Sequence, residues 1–120
     1  MIQLFANQYC FKIDTTDNDW CKCWLITGEN ETYLGAERLK YLKDHLLAGL
    51  DDSPKENSGR LLEDNFSWVL SLSEVHTTLY AEMDGQDRVL FFQDANAKEV
   101  CRIRLSQDRC SQWLDKIKSI

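Results

Sequence analysis

The chain contains no run of about 18 consecutive apolar residues, so hydropathy offers no membrane-spanning helix. Its first residues, Met1-Ile2-Gln3-Leu4-Phe5, lack the basic start and apolar run of a secretory signal. A soluble, cytosolic protein is the expectation. Cations are scarce as well: 14 Lys and Arg stand against 20 Asp and Glu, for a formal net charge of −6 and a pI near 4.8. This balance opposes indiscriminate binding to nucleic acid, because affinity for phosphates comes mainly from clustered Lys and Arg that displace counterions. The same field favours a basic partner and raises its on-rate more than its final affinity.

Also missing are a nucleophile elbow, a glycine-rich phosphate loop and paired metal-ligand histidines. No catalytic, cofactor-binding or metal-binding residue is therefore assigned, and no cofactor is expected. The five cysteines (Cys10, Cys21, Cys23, Cys101 and Cys110) are odd in number, so a disulfide framework would leave one over. Their simplest role is that of free thiols acting as small hydrophobes. Cys21-Lys22-Cys23 has a gap of one residue where zinc pairs have about two to four. Residues i and i+2 of a strand point the same way, which places Cys10, Cys21 and Cys23 on one face of a hairpin. They read there as core, with a redox or metal role as the alternative.

What is present suits one domain. The 120 residues, 43% hydrophobic and 11% aromatic, suffice to bury a core without disulfide or metal staples. Residues 8–14 alternate, with Tyr9, Phe11 and Ile13 on one side, and residues 20–26 return from a turn rich in Asp and Asn. Ile2-Gln3-Leu4 begins the same strand or a separate one. Thr32-Tyr33-Leu34 reads as a short strand or the lead-in to a helix. Over 35–48, Leu39, Leu42 and Leu46 recur at helical spacing, with Gly49 placed to end the helix. A polar stretch over 51–65, including Pro54 and Gly59, reads as a loop.

Four apolar-rich segments then follow between Phe66 and Leu105, an antiparallel meander. Residues 66–72 and 76–83 alternate, and Asp84-Gly85 is a strong hairpin signal. Val89-Leu90-Phe91-Phe92 is apolar on both faces, as expected of a central strand. The strand 99–105 leads to Ser106 as N-cap and to a helix over 107–118 with Asp108 in its first turn. Cys110, Trp113, Leu114 and Ile117 form an apolar stripe on that helix. Burying the last three is worth roughly 1.5–3 kcal/mol each, so the helix is expected to be indispensable to the fold.

The predicted fold is α+β: a twisted antiparallel sheet with an internal helix and a C-terminal helix packed on it. It comprises one domain over 1–120, with a hairpin plus helix in 1–50, a loop in 51–65 and a four-strand meander plus helix in 66–120. The core-facing side of the meander is assigned Trp68, Leu70, Leu79, Met83, Ile103 and Leu105. The other side is assigned His76, Tyr80 and Glu82, with Leu90 or Phe92 and with Arg102 and Arg104. Aromatics beside Arg are enriched at binding hot spots and also suit single-stranded nucleic acid. If the first helix or the N-terminal hairpin covers this face, it is core instead. His76 is the one candidate acid or base there; His45, beside Asp44, reads as a solvated helix residue. The acidic stretches 14–19, 29–31 and 51–56 are turns that would also form a negative rim, with Asp51, Asp52 and Glu56 as candidate contacts to a basic protein.

The order of strands then helix, twice over, resembles the Whirly type of single-stranded nucleic-acid-binding fold, with the first unit one strand short. In size, charge and architecture the chain also resembles small acidic bacterial immunity proteins, some of which have Whirly-like sheets. That resemblance implies binding and neutralising a cognate toxin. The expected function is thus a non-enzymatic protein-binding module, an immunity-type inhibitor of a basic toxin. The alternatives are a single-stranded nucleic-acid binder using the aromatic and Arg face, and a small enzyme around His76.

Overall fold

Strand alternation and tight turns build a first antiparallel sheet from β1 (Ile2–Ala6), β2 (Tyr9–Asp14), β3 (Trp20–Thr27) and β4 (Asn30–Arg38), in that spatial order. Helix α1 (Leu39–Leu50) follows. The second meander consists of β5 (Phe66–Ser71), β6 (Thr78–Asp84), β7 (Asp87–Gln93) and β8 (Glu99–Leu105), again in sequence order, and α2 (Gln107–Lys118) completes the chain. The computed structural model describes residues 1–15, 19–50 and 66–120, with 66–71 as backbone only; the loop expected over 51–65 lies outside the described residues. The architecture is α+β, with one helix internal and one C-terminal, and its strands divide into two four-stranded sheets.

The first unit is not short of a strand. β1 is a separate strand, and β4 runs to Arg38 through the positions 35–38 expected to start the helix. The reason is a bulge. Cys23 pairs with Gly35 and Trp24 with Tyr33, leaving Leu34 as an extra residue on β4. A bulge breaks the period of two, so Leu34 turns inward at a position where alternation alone gives no strand signal. β6 likewise begins at Thr78, leaving His76 in the preceding turn with φ +59°.

One hydrophobic cluster joins both units. The first sheet supplies Leu4, Phe11, Ile13, Cys23 and Leu25; the second supplies Leu79, Leu90, Phe92, Ile103 and Leu105; the helices supply Leu42, Leu46, Leu50, Cys110, Trp113 and Ile117. At its centre Phe11 lies 6.0 Å from Phe92 and stacks on Trp113 at 6.4 Å. Trp113 Nε1 donates to the Phe5 carbonyl at 2.9 Å, and Cys110 Sγ donates to the Leu50 carbonyl at 3.0 Å. The expected stripe of α2 therefore packs against both sheets and α1. Its N-cap is also as read: Ser106 Oγ accepts from the Arg109 amide at 3.2 Å. Of the residues assigned to the core side of the meander, Leu79, Ile103 and Leu105 are fully buried, whereas Met83 at the strand end is 44% exposed. The side chains of Trp68 and Leu70 fall outside the described residues.

A second link between the units is made by backbone. Ala36 and Ser73 form an antiparallel bridge, with Ala36 N donating to Ser73 O at 3.2 Å and Ser73 N to Ala36 O at 2.9 Å. Next to it Tyr33 Oη donates to Glu74 Oε2 at 2.6 Å. Burial first, and then this carboxylate, push the Tyr33 phenol from its ordinary 10.0 up to about 12. Because the folded value lies above the unfolded one, the contribution of the neutral phenol is whole below pH 10.0 and is lost as pH rises toward about 12. Phenolate absorbance should therefore show one tyrosine ionising near pH 12, and Tyr33→Phe should remove both that step and its share of the alkaline loss of stability. A titration curve unchanged by Tyr33→Phe would refute the coupling.

Candidate functional site

The register of the second sheet decides which residues share its outer face. Tyr80 pairs with Phe91 and Phe91 with Arg102; Glu82 pairs with Val89 and Val89 with Arg104. These six form two short cross-strand ladders, with Tyr80, Glu82 and Phe91 half-buried, Arg102 and Arg104 exposed, and Val89 buried beneath them. The structure thus brings Tyr80, Glu82, Arg102 and Arg104 together. It corrects the apolar partners: Leu90 and Phe92, at 1% and 0% exposure, face the core, and Val89 and Phe91 stand in their place. Two-residue pairing across the hairpin, Asp84 with Asp87, fixes this parity. Gly85 takes φ +64° in the loop, the positive value that the Asp-Gly signal anticipates.

The two arginines are not free cations. Arg102 Nη2 donates to Glu99 Oε1 at 2.8 Å and its Nε to Oε2 at 3.2 Å, a two-pronged pair, while the guanidinium lies 4.9 Å over the Phe91 ring. Arg104 Nη1 donates to Asp87 Oδ2 at 3.0 Å, and its Nη2 donates to Asp84 Oδ2. The Asp84 hydrogen bond, then that of Asp87, raises the pKa of Arg104 further above its ordinary value. Such exposed pairs add little to stability, but they orient the side chains. Both guanidiniums are thereby tied to carboxylates, and that of Arg102 also lies over the Phe91 ring.

The face continues into a cavity of about 340 Å³, walled by Glu82, Asp84, Phe91, Arg102 and Arg104 on the second sheet and by the Asn7–Tyr9 turn of the first. Asn7 Nδ2 donates to the Arg104 carbonyl at 3.2 Å, which fixes the turn over β8. Among the described residues, then, the face is flanked by the β1–β2 turn and carries neither helix. Sequence reasoning did not include Asn7, Tyr9, Asp84, Asp87, Val89, Phe91 or Glu99. The parity of a two-residue hairpin loop was the signal that could have found Val89 and Phe91. No sequence signal places Asn7 beside Arg104.

The other sequence candidates lie elsewhere. His76 is exposed in the loop before β6, outside the paired part of the strand, and does not line this cavity. His45 bonds through Nδ1 to the Tyr41 carbonyl on its own helix at 2.7 Å. Asp51, Asp52 and Glu56 lie outside the described residues.

All five cysteines are free thiols. Cys21 and Cys23 share the inner face of β3, but Cys10 pairs with Ile26 and so lies on the opposite face of the sheet. The expected gathering of three thiols is therefore not formed, because the pairing of Ile13 with Cys23 sets the parity of β2. Hydrogen bonding between the two remaining thiols favours charge on Cys21 and opposes it on Cys23, so the Cys21 value falls and the Cys23 value rises. Cys101 is pushed up to about 11, by burial first and then by Glu99. Among the described residues no cluster of three or more His, Cys, Asp or Glu is placed to hold a metal ion, and no helix is long and apolar enough to cross a membrane.

No protein-family model matches the chain, and neither does any curated protein or solved structure.

Proposed function

We propose that this is a non-enzymatic, cytoplasmic protein-binding module that uses the outer face of its second sheet to engage a basic protein, most concretely as an immunity-type inhibitor of a basic toxin. The observation carrying this reading is the pairing of both arginines of the face with carboxylates. Glu82, Asp84, Asp87 and Glu99 surround Arg102 and Arg104, whose charges are already taken up by three of those carboxylates. A surface that grips phosphates would present its guanidiniums unpaired. This one sets Tyr80 and Phe91, both half-buried, within an excess of negative charge, the composition suited to an interface whose partner supplies the cations.

The test is co-expression with the product of an adjacent gene, scored by rescue of growth, followed by binding kinetics on the purified pair. Asp84→Lys together with Asp87→Lys should slow association by about tenfold or more at low salt, because rim charges act chiefly on the on-rate, and should flatten its salt dependence. Unchanged affinity and salt dependence would sink the reading. A single-stranded oligonucleotide that shifts the resonances of Phe91 and Arg102 would favour the nucleic-acid alternative instead.

A further inference from the structure

Where β4 passes into α1, a second and larger cavity of about 630 Å³ opens, walled by Asp19, Arg38, Leu39, Lys40, Tyr41, Lys43 and Ile120. Three of these residues are cations, on a chain whose formal charge is −6. Among the described residues none of the three pairs with an Asp or Glu side chain. Arg38 lies 5.7 Å over the Trp20 ring, and Lys43 Nζ donates to the carbonyls of Ile120 at 3.1 Å and Lys118 at 3.5 Å. Lys40 is exposed. Asp19 is the acidic residue of the wall, and its carbonyl accepts the Leu39 amide at 2.9 Å.

Lys43 is tied to the end of α2 and Arg38 lies over Trp20, whereas neither helix stability nor packing accounts for Lys40. The first turn of α1 has no acidic residue, although its dipole favours one, and carries Lys40 instead. Arg38 and Lys40 both stand in solvent. The same region exposes two aromatic rings, Tyr41 at 54% and Trp20 at 41%. Guanidinium and ammonium groups that converge on a hollow can donate several charge-assisted bonds to phosphate oxygens. An exposed ring beside them offers a plane on which a base can stack. The volume falls within the span of roughly 300–1,000 Å³ usual for small-molecule sites.

We propose that this cavity binds a nucleoside phosphate, with Arg38, Lys40 and Lys43 holding the phosphate and Tyr41 stacking on the base. The site is independent of the partner-binding face, since it shares no residue with it.

The test uses the full chain, isotope-labelled, with amide shifts followed during titration by ADP and separately by inorganic pyrophosphate. ADP is expected to give saturable shifts at Lys40, Tyr41 and Lys43 and to bind more tightly than pyrophosphate. Lys40→Glu should weaken both probes by about tenfold or more, the scale of one charge-assisted bond. Tyr41→Ala should weaken ADP and leave pyrophosphate unchanged. Both positions are exposed, so an unaltered melt for each variant will show that the fold is intact. The proposal is overturned if ADP gives no saturable shift at these residues, if Lys40→Glu binds as the parent does, or if ADP binds no more tightly than pyrophosphate.

Discussion

Gly35→Ala should destabilise the protein by about 4 kcal/mol or more, a loss at the diagnostic end of single substitutions. Two costs coincide at this position. Its φ of +128° is a conformation essentially reserved for glycine. A Cβ there would also lie 2.3 Å from the Ser73 carbonyl oxygen and 2.9 Å from Leu72 Cβ. Neither neighbour can yield cheaply. The Ser73 carbonyl accepts from Ala36 N, and the Ser73 amide and hydroxyl both donate to Ala36 O at 2.9 Å, so moving it opens the bridge between the two units. Leu72 is itself buried. Gly28→Ala is the control, because Gly28 has φ +60° but nothing within 4 Å of an added Cβ. It should cost only about 1–2 kcal/mol, the strain of left-handed backbone alone. Urea denaturation followed by far-ultraviolet circular dichroism measures both, and similar midpoints for the two variants would show that the contact at Ser73 is not decisive.

Trp113→Ala should cost about 3–5 kcal/mol, the range for emptying a large aromatic site in a core. The ring is fully buried, stacks on Phe11 and, through Phe11, links to Phe92 of the other sheet. Its loss would also leave the Phe5 carbonyl without the indole N–H that it accepts at 2.9 Å. Trp113→Phe retains most of the apolar contact and removes only the donor, so it should fall between the parent and the alanine variant. Against a typical margin of about 5–15 kcal/mol, the alanine change removes much of the stability, and removal of α2 from Ser106 onward should abolish a cooperative melt. A truncated chain that still melts cooperatively would mean that the two sheets close a core without α2.

Some of this fold is written locally. Ser106, Asp108 and the stripe of Cys110, Trp113 and Ile117 specify α2 to the residue, because a cap and a 3.6-residue period are properties of neighbouring positions. Strand β8 and the central place of β7 are equally legible, the latter from apolar residues on both faces. For the candidate site, alternation suffices to bring Tyr80 into line with Glu82 and Arg102 with Arg104.

Other features depend on residues distant in the chain. The bulge at Leu34 and the bridge of Ala36 to Ser73 both need partners distant in the chain, so local periodicity reads 35–38 as helix where the protein makes a strand. Whether Phe91 or Phe92 faces outward turns on pairing register, and a shift of one residue exchanges the two faces. The same parity separates Cys10 from Cys21 and Cys23. The sequence by itself determined the α+β class, the hairpin turns at Gly28 and Gly85, the C-terminal helix and a net acidic charge. Tertiary structure alone decided that the strands form two sheets, that carboxylates neutralise Arg102 and Arg104, and that Arg38, Lys40 and Lys43 surround one cavity. Caps and periods act between neighbours in the chain, whereas register, ion pairing and cavities arise only when distant segments meet.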